Sequence, residues 1–111
     1  MNISLIITDH AREDLLRFYR FYQENVNNNT AVSVMETINK QLTHLANNPL
    51  MGRQYYHQEH HFYYRELLIF FGKAKRNCFV ALYHYDNDKI LVLRIKNARE
   101  KNYLPFMQPK R

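Results

Sequence analysis

Tryptophan is absent and cysteine occurs once, at position 78, so no internal disulfide can staple the fold. Phe79 and Val80 beside it mark Cys78 as a buried strand residue, and a lone thiol suits a reducing compartment. Glycine (2) and proline (3) are equally scarce, which excludes linkers, collagen-like repeats and low-complexity arrays. Apolar runs such as Leu67 to Phe71 are a fraction of the roughly 20 residues that a membrane helix needs. Met1 to Thr8 also lacks the basic start and cleavage site of a signal peptide, so a soluble cytoplasmic protein without membrane contact is expected. What is plentiful is apolar and aromatic: 46% hydrophobic residues, with 9 Tyr and 7 Phe, put the chain outside the disordered class. Its 111 residues support one domain, residues 1–111, on one core.

Charge is unevenly spread. Residues 1–48 hold four cations against five anions, whereas residues 49–111 hold twelve against five. The net +6 therefore belongs to the second half, which points to an anionic partner or, more plainly, to a solubilising charge.

Residues 2–8 are rich in β-branched side chains and read as a short strand, with Thr8 as the cap of a following helix. Leu15, Phe18, Tyr19, Tyr22 and Val26 then recur at helical spacing, and the Asn-rich run 25–29 breaks the helix. Ala31, Val34, Met35, Ile38, Leu42 and Leu45 form a second stripe, closed by Asn47-Asn48-Pro49. The short connection makes an antiparallel helix hairpin, about 8–48. Residues 50–61 show neither period and are expected to be a loop. Three β-rich runs, Phe62 to Phe71, Cys78 to Tyr85 and Lys89 to Lys96, follow through short connections, so an antiparallel sheet over about 62–96 is expected. Alternation in the last run puts Leu91, Leu93 and Ile95 under the helices and Arg94 and Lys96 on an open basic face with Ile90 and Val92. The order β-α-α-β-β-β describes an α+β fold with the hairpin on one face of a small, mainly antiparallel sheet, followed by a C-terminal segment, 97–111, that has room for a helical turn before Pro105.

Ala11-Arg12-Glu13-Asp14-Leu15-Leu16, Asn47-Asn48-Pro49-Leu50-Met51-Gly52-Arg53, Tyr64-Arg65-Glu66-Leu67-Leu68-Ile69, Val80-Ala81-Leu82-Tyr83-His84-Tyr85 and Ile90 to Glu100 together resemble the RelE/ParE toxin superfamily over nearly the whole chain. The resemblance implies a toxin of a bacterial type II toxin-antitoxin module, with roles in growth inhibition and in plasmid or chromosome stabilisation, held inactive by a cognate antitoxin. Its wording is closer to the ParE branch, whose members inhibit DNA gyrase by binding, with no catalytic residue and no cofactor. The RelE branch cuts mRNA on the ribosome, which needs a group to activate the ribose 2′-OH, cations on the phosphate and a proton donor. That alternative would make the chain an endoribonuclease using Arg53, Arg65, Arg94 and Tyr103, but the lysines that RelE-like toxins carry before the second strand are missing from 49–64. A third alternative is a non-toxic member that only binds its antitoxin.

On the ParE-like reading the target-binding residues are Arg65, Arg94, Lys96, Arg99 and Tyr103. Each has a plainer alternative: a solvated cation for Arg94, Lys96 and Arg99, a cross-strand ion pair for Arg65, and packing with Phe106 for Tyr103. If the basic face acts, Arg94→Ala should relieve toxicity with stability nearly unchanged. Helix 1 carries more apolar surface than one interface requires, so Leu16, Phe18, Phe21 and Tyr22 are expected to meet an antitoxin, an acidic one given the basic half, or a second copy in a homodimer or hetero-oligomer. His57, His60 and His61 are closely spaced, yet a loop with no cysteine nearby rarely makes tetrahedral zinc geometry, so no metal is expected.

Overall fold

The computed structural model describes residues 3–72 and 78–98. Along the chain run β1 (Ser4–Ile7), α1 (Asp9–Asn25), α2 (Asn28–Asn47), β2 (Arg53–His57), β3 (Phe62–Phe70), β4 (Cys78–Asp86) and β5 (Lys89–Asn97). Caps fix both helix starts: the Thr8 hydroxyl accepts the N–H of Ala11 at 3.3 Å, and the Asn27 side chain accepts that of Thr30 at 2.7 Å. With only Val26 and Asn27 between them, the helices fold back on each other.

The sheet has the order β1-β5-β4-β3-β2, antiparallel throughout except for the parallel pair of β1 with β5. Helices and sheet close on a core of Ala11, Phe18, Val34, Ile38, Leu42 and Leu45 against Leu67, Ile69, Phe79, Ala81, Tyr83, Ile90, Val92 and Ile95. The β4–β5 hairpin turns on Asn87 and Asp88, both with positive φ, the two-residue geometry that matches the twist of the strands.

Three expectations are corrected. Residues 53–57, expected in a loop, form strand β2, which pairs with β3 through aromatic neighbours such as Tyr55 and Tyr64, rings stacked at 5.7 Å. The faces of β5 are also exchanged in its first half, because the register with β4 shifts between Leu82 and Tyr83. Leu82 pairs with Arg94 and Tyr83 with Val92, so Leu93 is the bulged residue: Ile90 and Val92 lie under the helices before it, and Ile95 after it. Leu93 instead packs with Val80, Leu82, Phe62 and Tyr64 on the sheet's other face. Val26, expected on the helix stripe, is the exposed C-cap of α1. The C-terminal turn expected before Pro105 lies outside the described residues.

Candidate functional site

Asp14 projects from the inner side of α1 and is 97% buried, a carboxylate on the stripe that also carries Ala11 and Phe18. β1 pairs with β5 only from Lys89 to Val92, so the next stretch of β5 has no strand on that edge. Helix α1 takes the strand's place: the Thr8 hydroxyl donates to the carbonyls of Val92 and Leu93 at 2.8 and 3.1 Å, and the N–H of Ile95 donates to Asp14 Oδ2 at 2.9 Å. Arg94 grips the same carboxylate through both fork positions, Nε to Oδ2 at 2.8 Å and Nη2 to Oδ1 at 2.9 Å. Lys96 Nζ stands 3.7 Å and Arg17 Nη2 3.6 Å from Oδ1. Burial alone would push the Asp14 carboxyl up; the Arg94 hydrogen bonds, the Ile95 N–H and the charges of Lys96 and Arg94 outweigh it and hold the group below the ordinary value.

The open basic face expected from Arg94 and Lys96 is therefore not there: both side chains are buried at the Asp14 junction. Among the described residues nine cations meet nine anions, so the whole excess of positive charge falls at positions 73–77 and 99–111. Arg65 makes no expected cross-strand pair its chief contact; its guanidinium donates to the carbonyls of Gly52 at 2.7 Å and Leu50 at 3.3 Å and to Gln54 Oε1 at 3.4 Å. Arg53 is exposed on β2 with its guanidinium over the Tyr55 ring. Register sets Arg53, Glu66, Leu82 and Arg94 in one row across four strands. Arg53 and Arg94 thus stand three strand spacings apart, roughly 14 Å, while Arg65 points to the opposite face from Arg53. Arg99 and Tyr103 lie outside the described residues.

On α1, Leu16 and Phe21 are 49% and 55% exposed and line a shallow groove together with Glu13, Arg17, Arg20 and Glu24. Phe18 is not available to a partner: it is buried, edge-on to Phe79 at 4.9 Å, and half-buried Tyr22 packs on the same ring. The histidines sit at the β2–β3 turn, where His57 Nδ1 accepts the N–H of His60 at 3.2 Å and stacks on that ring. Among the described residues no group of three or more His, Cys, Asp or Glu is placed to hold a metal, and no helix is long and apolar enough to cross a membrane.

The pattern describing the ParE toxin of type II toxin-antitoxin system, parDE, matches residues 5–102. The chain belongs to the ParE toxin family. No curated protein sequence matches it. Among solved structures, one titled as the chromosomal ParDE TA system from P. aeruginosa shares the fold, with a TM-score of 0.66 at 23% identity over 86% of this chain and 95% of that one.

Within this ParE-family chain the residues that organise the junction were only partly visible in the sequence. Asp14 falls three residues after Ala11 and four before Phe18, on the apolar stripe itself, and a carboxylate there calls for a cation from the facing element. Tyr83 gave no such signal. Its hydroxyl donates to the Pro49 carbonyl at 2.8 Å and accepts the Gly52 N–H at 2.9 Å, pinning the chain between α2 and β2. Burial pushes the Tyr83 phenol up, against smaller opposing effects of the Gly52 N–H and Arg65, so it stays protonated and keeps its donor role at neutral pH.

Proposed function

We propose that the chain is a toxin that inhibits DNA gyrase by binding it, breaks no bond and is neutralised by a cognate antitoxin in the cytoplasm. The observation that carries this reading is the match to the ParE toxin family over residues 5–102. The placement of the arginines supports it from another direction. A ribonuclease would gather cations around one scissile phosphate. Here Arg94 is bound to a buried carboxylate, Arg65 to two backbone carbonyls, and Arg53 lies across the sheet from Arg94. In this reading Arg99 and Tyr103 are the residues for direct contact with the target, and Arg65 shapes the approach to β2. Leu16 and Phe21 receive the apolar face of the antitoxin, and Arg17 and Arg20 beside them favour acidic partner side chains.

The test is brief expression in a bacterium, with supercoiling by purified gyrase and ribosome-dependent mRNA cleavage measured in parallel. Loss of supercoiling with intact mRNA is expected. Codon-phased mRNA cuts with gyrase unaffected would overturn the reading in favour of an mRNA interferase.

A further inference from the structure

Three consecutive residues of β5 are tied to one side chain of α1: Arg94 by two hydrogen bonds, Ile95 by its backbone N–H, and Lys96 by charge. Apolar side chains would fill this junction with a smaller desolvation cost. They would not fix its geometry, because hydrophobic contact has no preferred direction, whereas a carboxylate held by a fork and a backbone N–H admits one register. The junction also stands where β5 has lost its strand neighbour and has just passed the bulge at Leu93, the part of the strand with the least sheet to hold it in place. From there the strand runs only to Asn97. The carboxylate further approaches half-exposed Arg17, which lines the same groove as Leu16 and Phe21.

We propose that Asp14 is a positioning residue of the toxin: it holds Arg94, Ile95 and Lys96 against α1, so that the end of β5 is presented in one fixed place, and it acts without touching the target. The inference rests on the toxin reading above, and its test separates the two.

The experiment compares the full chain with Asp14→Asn, Arg94→Lys and, as a control destabilised where the chain leaves α2, Tyr83→Phe. Each is measured for gyrase inhibition, growth arrest on expression, thermal midpoint and amide hydrogen exchange at Ile95. Asp14→Asn is expected to weaken inhibition by at least about tenfold and to speed exchange at Ile95, while Tyr83→Phe, the milder lesion, stays within about threefold of the parent when each variant is assayed well below its own thermal midpoint. Arg94→Lys keeps the buried charge but loses the fork and is expected to fall between them. If Asp14→Asn does not fold, Arg94→Lys against the same control decides the matter. Equal losses of inhibition in the folded Asp14 and Tyr83 variants, or full inhibition despite fast Ile95 exchange, would overturn the proposal. Should the parent chain leave gyrase intact yet arrest growth, the gyrase reading fails and the positioning role is judged by arrest in the same variants. A parent chain with neither activity overturns the proposal as well.

Discussion

The first helix of the hairpin and the exit from the second are fastened to the sheet by different chemistry. Where α1 meets β5 the fastening is ionic and buried, one carboxylate facing Arg94, Lys96 and Arg17. Where the chain leaves α2 it is neutral: the Tyr83 hydroxyl bridges Pro49 and Gly52, and Arg65 reinforces it through the Leu50 and Gly52 carbonyls. A cation therefore does opposite work at the two places. Arg94 is part of a charge pair whose loss leaves a buried ion behind, while Arg65 supplies donors to carbonyls at a half-buried site. The sign of a side chain did not reveal its task; the group it faces did.

Breaking the ionic end has the largest effect. Asp14→Ala removes the carboxylate that two buried cations face and is expected to cost about 3–5 kcal/mol in chemical denaturation. Arg94→Ala is expected to cost a similar amount, because it strips Asp14 of its two-bond partner, and so the expectation that this substitution spares stability is withdrawn. The same junction gives the fold an acid limb. Asp14 is held below its ordinary value in the folded chain, so its contribution is complete above the unfolded carboxylate value of about 3.9 and is lost as pH falls through the lower folded value. A denaturation series from neutral to acid should show this loss in the parent chain and a smaller one in Asp14→Asn; equal slopes would assign the acid limb to other carboxylates.

The neutral end should yield by less and without that pH dependence. Tyr83→Phe leaves the buried Gly52 N–H and the Pro49 carbonyl without the hydroxyl and is expected to cost about 1–3 kcal/mol. Gly52→Ala attacks the same contact by volume: a Cβ there would stand 2.6 Å from the Tyr83 hydroxyl and 3.0 Å from the Glu66 carbonyl, so ring or backbone must shift, at about 1–3 kcal/mol. Thermal denaturation of both variants checks this, and a cost at Gly52 below that of an ordinary surface change would mean that Tyr83 swings aside freely.

How much of this the sequence disclosed follows from the range of each interaction. The hairpin, the Thr8 cap and the three long strands rest on local spacing and capping residues, and they stand where those signals put them. β2 was missed because Arg53 to His57 has no clean alternation; it is a strand because β3 offers it a partner edge. The faces of β5 were misjudged because a bulge shifts the period by one residue, and the bulge depends on pairing with β4. Arg94 and Lys96, past the bulge, do alternate with Ile95 as expected; no open face results because β1 does not cover that edge of β5 and both side chains reach Asp14. Their real partner lies 80 residues away from Arg94 in sequence, on a helix whose packing against β5 no local pattern encodes.

The smallest stability effect is expected on the outward side of α1, and there the comparison can be sharpened most. Phe21 is exposed and faces Tyr22 edge-on at 5.3 Å, outside the core that holds Phe18 one turn earlier. Phe21→Ser should change unfolding free energy by no more than about 0.5 kcal/mol. Phe18→Ser, three residues away, removes a ring buried against Phe79 and should cost about 3–5 kcal/mol. If the groove of Leu16 and Phe21 receives an antitoxin, the order reverses for binding: Phe21→Ser weakens the complex, because interface energy concentrates in a few aromatic anchors, while growth arrest by the free toxin persists. Calorimetric titration with the cognate antitoxin checks this. Unchanged affinity would take the partner off this face of α1 and leave the groove as ordinary surface.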